Sequence, residues 1–170
     1  MKRYFAMIFL LFGLVGCTGQ SAPKVEEEEK PALFKVSDED REEFHLAIQK
    51  ALETLDEFKK KLESGETEGV TFTLKVLLEA PDGVNGEHIW VTDITTKDDE
   101  YYGVIDNVPV YTEEVKYGDK MKIKKENISD WMYVENGKLY GGYTLRLVRS
   151  RMTDEEREQF DAMTGLIIEE

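Results

Sequence analysis

Apolar residues in this chain recur first at a helical spacing, then at a strand spacing, then at a helical spacing again. From Asp38 to Glu63, Phe44, Ile48, Leu52, Leu55, Phe58 and Leu62 lie three or four residues apart and form one apolar stripe. Ser37 suits the N-cap, and Asp38, Glu39 and Asp40 put acid in the first turn. Lys59, Lys60 and Lys61 suit the negative end of the helix dipole, and Gly65 suits a stop. The spacing therefore predicts one long helix lying across a sheet or against other helices.

The period then falls to two. Val70, Phe72, Leu74, Val76 and Leu78 alternate with Thr71, Thr73 and Lys75, as in a strand with one buried face. Pro81-Asp82-Gly83 and Asn85-Gly86 predict a turn. Further strands are expected at Glu87 to Ile94, Tyr101 to Asp106, Lys120 to Lys124, Trp131 to Val134 and Lys138 to Tyr140. Asn136-Gly137 between the last two is a strong hairpin signal. Tyr143 to Val148 fits either a last strand or the start of a helix. Thr153-Asp154-Glu155-Glu156 has the capping-box pattern and opens a short helix ending near Gly165. The expected fold is α+β: one long N-terminal helix packed on a strongly bent, mostly antiparallel sheet of about five or six short strands, with a short C-terminal helix.

The first 20 residues, MKRYFAMIFLLFGLVGCTGQ, break this pattern. Lys2 and Arg3 precede an apolar run from Tyr4 to Val15, shorter than the ~20 residues a bilayer span needs. The run ends in Leu14-Val15-Gly16-Cys17, which resembles the lipobox of bacterial lipoproteins. That resemblance implies cleavage between Gly16 and Cys17 and acylation of Cys17 by diacylglycerol and palmitate-type chains. Cys17 is the only cysteine, so no intrachain disulfide and no cysteine-based zinc site is expected. Several acyl chains, at about 0.8 kcal/mol per buried CH₂, would hold the protein on a membrane. With Thr18 rather than Asp after the cysteine, the resemblance implies export to the outer membrane, facing the periplasm, in a Gram-negative source. The expected organisation is a signal peptide at 1–16, an acidic tether at 17–36 and a single globular domain at 37–170. The run Glu26 to Glu29 marks the tether as solvated.

A set of small and aromatic residues gives the globular part its identity. In order these are Trp90; Gly103, Asn107 and Pro109; Gly118 and Asp119; Ile128, Asp130 and Trp131; then Gly141, Gly142, Tyr143, Thr144 and Arg146. In this order the set resembles the YegJ-like family of uncharacterised bacterial proteins over roughly residues 72–148. The resemblance implies a shared fold and supplies no function.

Charge narrows the partners. The chain carries 22 basic and 36 acidic residues, a net −14. Loss of Lys2 and Arg3 with the signal peptide takes the mature form to −16, from 20 basic against 36 acidic residues. Such a surface repels nucleic acid and anionic head groups and attracts a basic protein or peptide. Candidate chemistry is sparse. There is no His-Glu-x-x-His, phosphate loop or serine elbow, and His45 and His88 stand alone in the sequence. No metal and no cofactor is implied. Trp90, Asn107, Asp130, Trp131, Tyr143 and Arg146 form a candidate binding groove, in which Asp130 caps the turn before Trp131 or pairs with Arg146. Three functions fit. The first is a non-enzymatic binding module anchored in the bacterial cell envelope. The second is an immunity- or inhibitor-type protein that neutralises a cationic toxin or wall enzyme. The third is a hydrolase using Asp130 with Arg146 or His88.

Overall fold

A computed structural model of the chain describes residues 38–79, 86–112 and 115–169. The expected signal peptide with Gly16 and Cys17, the expected tether, the expected Ser37 cap and the predicted turn from Pro81 to Asn85 lie outside the described residues. The described chain is α+β. Helices α1 (Asp38–Glu53) and α2 (Leu55–Glu63) lead into β1 (Val70–Glu79), β2 (Gly86–Lys97), β3 (Glu100–Ile105) and β4 (Lys120–Ile123). A single 3-10 turn (Lys125–Asn127) precedes β5 (Ile128–Glu135) and β6 (Lys138–Gly141), followed by α3 (Tyr143–Ser150) and α4 (Asp154–Thr164). All six strands join one sheet in the order β4-β3-β2-β1-β5-β6, every neighbouring pair antiparallel. No helix among the described residues is long and apolar enough to cross a membrane.

The expected single N-terminal helix is two helices, divided at Thr54 (φ −109°, ψ 7°). The division has a tertiary cause. The Trp131 indole Nε1 donates to the Ala51 carbonyl at 2.9 Å, across 80 positions of sequence. The Thr54 hydroxyl reaches back to the Lys50 carbonyl at 2.9 Å and shares a 3.0 Å hydrogen bond with the Tyr143 hydroxyl. Side chains that insert into the helical ladder in this way kink or break it. The apolar stripe is corrected at the same place. Ala51 is fully buried, whereas Leu52 is 46% exposed. Ala51 still keeps the three- and four-residue spacing with Ile48 and Leu55, and its small side chain lets the indole come close to the helix backbone.

Both helices lie on the sheet face made by Phe72, Leu74, Val76, Ile89, Val91, Tyr101, Ile105, Ile123 and Trp131, all buried. Phe58 of α2 joins them as the central ring. It meets Phe72 edge-on at 5.6 Å, Tyr101 at 6.2 Å and Trp131 at 5.8 Å between centroids. Such aromatic pairs contribute beyond the area they bury. The other face of the sheet carries Lys75, Leu77, His88 and Trp90, which are half-buried or exposed.

The two sheet edges are protected differently. Beside β6, the Leu139 amide donates to the Ile167 carbonyl at 3.0 Å and the Ile167 amide to the Gly137 carbonyl at 2.8 Å, so the C-terminal residues pair alongside. On β4 the lysines Lys120 and Lys122 line a four-residue edge strand. The Asn136-Gly137 hairpin forms as predicted, both residues at positive φ (52° and 80°). The Thr153 capping box also forms. The Thr153 hydroxyl accepts from the Glu156 amide and the Glu156 carboxylate accepts from the Thr153 amide.

Where the sequence allowed strand or helix after Tyr143, the structure has α3. Gly141 and Gly142 both sit at positive φ, 68° and 66°. A Cβ on Gly141 would come within 2.5 and 2.6 Å of Trp131 ring atoms Cε3 and Cζ3 and would collide with the Trp131 carbonyl. Only glycine allows both the left-handed turn and this approach. The chain therefore leaves the sheet here and starts a helix against α1.

Trp131→Phe keeps most of the ring but removes the indole donor, leaving the buried Ala51 carbonyl without that partner. Chemical denaturation should show a loss of about 1 to 3 kcal/mol. An unchanged midpoint would mean that the indole does not hold the α1–α2 junction.

Candidate functional site

The site grows from one row of residues across three central strands. In register, Trp90 of β2 faces Lys75 of β1, and Lys75 faces Asp130 of β5, so all three share the outer sheet face. A bulge follows at once, because Lys75 pairs Asp130 whereas Val76 pairs Ile128. Ser129 is the extra residue. Bulges re-aim side chains in this way.

Asp130 is 0% exposed. Its Oδ1 accepts from the amides of Trp131 at 2.8 Å and Tyr143 at 3.2 Å. Its Oδ2 accepts from the Thr144 amide at 2.8 Å and the Thr144 hydroxyl at 2.7 Å. Two of these donors are the first amides of α3, whose own N-cap is the side-chain-less Gly142. Asp130 therefore caps α3 from a different strand, placing negative charge at the positive end of the helix dipole. Burial pushes its carboxyl above the ordinary range, and the hydrogen bonds from Thr144, Trp131 and Tyr143 oppose that rise.

Lys75 completes the row. Its ammonium donates to the Thr144 hydroxyl at 3.1 Å and lies 5.2 Å from the Trp90 ring centroid. Burial lowers its pKa, with Asp130 acting the other way. Beside it, His88 Nδ1 is 2.8 Å from the Ser129 hydroxyl, which itself donates to the Lys75 carbonyl at 3.2 Å. Which of the two donates in the His88–Ser129 contact depends on the imidazole tautomer. His88 is exposed as a residue, but its ring is desolvated on the sheet side. Burial first and the Lys75 charge second bring its pKa down to about 4.

The six residues of the sequence-derived groove do not line one groove. Trp131 lies on the opposite, helix-covered face at 2% exposure. Tyr143 meets it edge-on at 6.0 Å and bonds Thr54. Asn107 holds the loop after β3 by accepting from the Trp90 amide at 2.7 Å. Arg146 does not pair with Asp130. It donates to the carbonyls of Gly141 at 2.7 Å, Leu139 at 2.9 Å and Glu169, fastening the end of β6 to the C-terminal residues. Only Trp90 and Asp130 share the outer-face row. The residues that join them are Lys75, His88, Ser129 and Thr144; the sequence offered His88 only as a partner of Asp130 in a hydrolase and Thr144 only within the family pattern, and Lys75 and Ser129 not at all. Lys75 reads as an ordinary polar position of an alternating strand, and only strand register reveals its neighbours.

A second anchor holds the loop against β2. The Glu87 carboxylate accepts from three successive amides, Val110 at 2.8 Å, Tyr111 at 2.8 Å and Thr112 at 3.1 Å. Val108 and Val110 of this pinned loop stay exposed, at 72% and 54%. The outer-face row offers a ligand the half-buried Lys75 ammonium and Trp90 indole. It offers no free lone pair on Asp130, whose four acceptor positions are filled from inside the fold. Among the described residues no cluster of three His, Cys, Asp or Glu side chains could hold a metal ion.

Residues 41–168 match the family model described as "Uncharacterized protein conserved in bacteria (DUF2314)". The chain is 36% identical to the "Uncharacterized protein YegJ" of Escherichia coli K12 over 123 residues, 72% of this chain and 78% of that protein. It is 40% identical over 88 residues to a "Putative ankyrin repeat protein" of Neisseria meningitidis serogroup B, covering 52% of this chain and only 35% of that protein. No solved structure matches.

The His88 reading has a definite sign. With its folded pKa near 4, below the ordinary 6.5, the folded state binds fewer protons than the unfolded state between those values. This group's effect is absent above about pH 6.5, and stability is lost as pH falls from there toward 4. An NMR titration of the His88 ring should have its midpoint near 4, and Lys75→Met should move it upward. A midpoint at the ordinary value, or one indifferent to Lys75→Met, would break the link between the two residues.

Proposed function

The chain belongs to the bacterial family of unknown function that the 41–168 match defines, and from that premise we propose that it is a non-enzymatic binding module of the cell envelope, held to a membrane by lipid on Cys17. The observation that carries this reading is the division of labour along one row of the sheet. Asp130, the best candidate for acid–base work, is buried and saturated by the fold, while Trp90 and Lys75 beside it on the outer sheet face are half-buried and keep partial exposure. Aromatic faces beside a single charge are typical of recognition surfaces. The same arrangement tells against a hydrolase built on Asp130, because a general base must reach a substrate proton. The match to about a third of a longer meningococcal protein fits a domain that is reused as a part, as binding modules are.

The acidic surplus favours a second reading, an immunity- or inhibitor-type protein against a cationic toxin or wall enzyme. The two differ in where they place the contact and in how salt affects it. Pull-downs with residues 37–170 should retain one stoichiometric protein. On the first reading Trp90→Ala abolishes retention with the fold unchanged. On the second, Trp90→Ala has no effect and moderate salt releases a basic partner. In cells, lipid-precursor labelling should be lost in Cys17→Ser, and labelling that persists would remove the anchor from the proposal.

A further inference from the structure

A separate cleft lies where α3, α4 and the C-terminal residues meet, on different residues from the outer sheet face. It has a volume of about 450 Å³ and is lined by Arg146, Arg149, Ser150, Arg157, Ile168 and Glu169. That volume is in the range of small-ligand sites. Three guanidinium groups converge on it in a chain whose net charge is −14.

The three arginines are committed to different degrees. Arg149 grips Asp161 in a two-pronged pair, Nε at 2.8 Å and Nη2 at 2.6 Å, and holds the Asp161 carboxyl below its ordinary range. Arg146 donates to three backbone carbonyls, so these bonds fix its position, and among the described residues no carboxylate pairs with it. Arg157 donates from Nη2 to the Met152 carbonyl at 3.1 Å, and its Nη1 stands 3.8 Å from the exposed Asp154 carboxylate. Its Nε is buried and has no partner among the described residues. Buried donors are almost always satisfied, so the Arg157 guanidinium is left short of one acceptor beside the cleft that its side chain lines. Carboxylate and phosphate oxygens are the acceptors that guanidinium groups fit best.

We propose that this cleft binds a small oxyanion, a molecule bearing a phosphate or carboxylate group, attracted by the Arg146 and Arg157 guanidinium groups that line it. Arg146 is held by the backbone before any ligand arrives, so little ordering is needed on binding. The site is independent of the reading given to Lys75 and Trp90.

The test is an NMR titration of the full chain, in detergent, with inorganic phosphate and separately with acetate, at constant ionic strength. Saturable shifts confined to residues 146–157 and 168–169 are expected with at least one of the two anions, and the anion that binds identifies the group. Arg157→Gln should weaken binding by about tenfold or more with the rest of the spectrum unchanged. Should that variant disturb the fold, the exposed Ser150→Asp serves instead, by placing a carboxylate at the rim. Ser64→Asp adds the same charge at a residue that does not line the cleft and should leave binding intact. Absence of saturation with both anions, or binding indifferent to Arg157→Gln and Ser150→Asp, overturns the proposal.

Discussion

The end of the sheet is organised around a buried carboxylate. Asp130 cannot be taken out of water as an isolated charge, so the fold must bring donors to it. It does so with the Trp131 amide on one side and the first two amides and one hydroxyl of α3 on the other. This requirement places α3. It also accounts for the two left-handed glycines, since the chain must leave β6, pass over Trp131 and deliver its amides within a few residues. The bulge at Ser129 brings Asp130 into line with Lys75.

Consecutive residues on one strand then serve opposite faces. Asp130 organises the outer face, and Trp131 points into the core, where its ring meets Phe58 and its indole nitrogen takes a carbonyl from α1. The break at Thr54 follows from that bond. So does the path of α1 and α2 over the sheet, because Ala51 is anchored above β5 and Phe58 above β1 and β3. The Arg151 guanidinium adds a peripheral fastening, with Asp40 and Glu43 of α1 as partners and the Phe44 ring 5.2 Å away.

The same economy shapes the surface. Residues that look chemically promising in a sequence, such as Asp130 and Arg146, turn out to be the ones the backbone consumes. Lys75, half-buried over the Trp90 ring, looks unremarkable in isolation, whereas Trp90 stands out already in the sequence. Net charge does not predict this local picture. An acidic chain presents an ammonium over an indole on one face and three guanidinium groups in a cleft elsewhere.

Short-range pattern determined much of what is local. The alternation from Val70 to Leu78, the Asn136-Gly137 hairpin, the Thr153 capping box and the Gly165 stop each rest on contacts within a few residues, and each forms as the sequence predicts. The ordered glycines and tryptophans from Trp90 to Arg146 were enough to suggest the family. Tertiary structure alone decided the break at Thr54, the burial of Ala51 rather than Leu52, the helical state of Tyr143 to Ser150 and the diversion of Arg146 to backbone carbonyls. In each case the deciding partner is remote in sequence or belongs to the backbone. Trp131 acts on Ala51 from 80 positions away, and Asp130 on Thr144 from 14. Periodicity records which face a residue turns to the core, but it does not record which group meets it there.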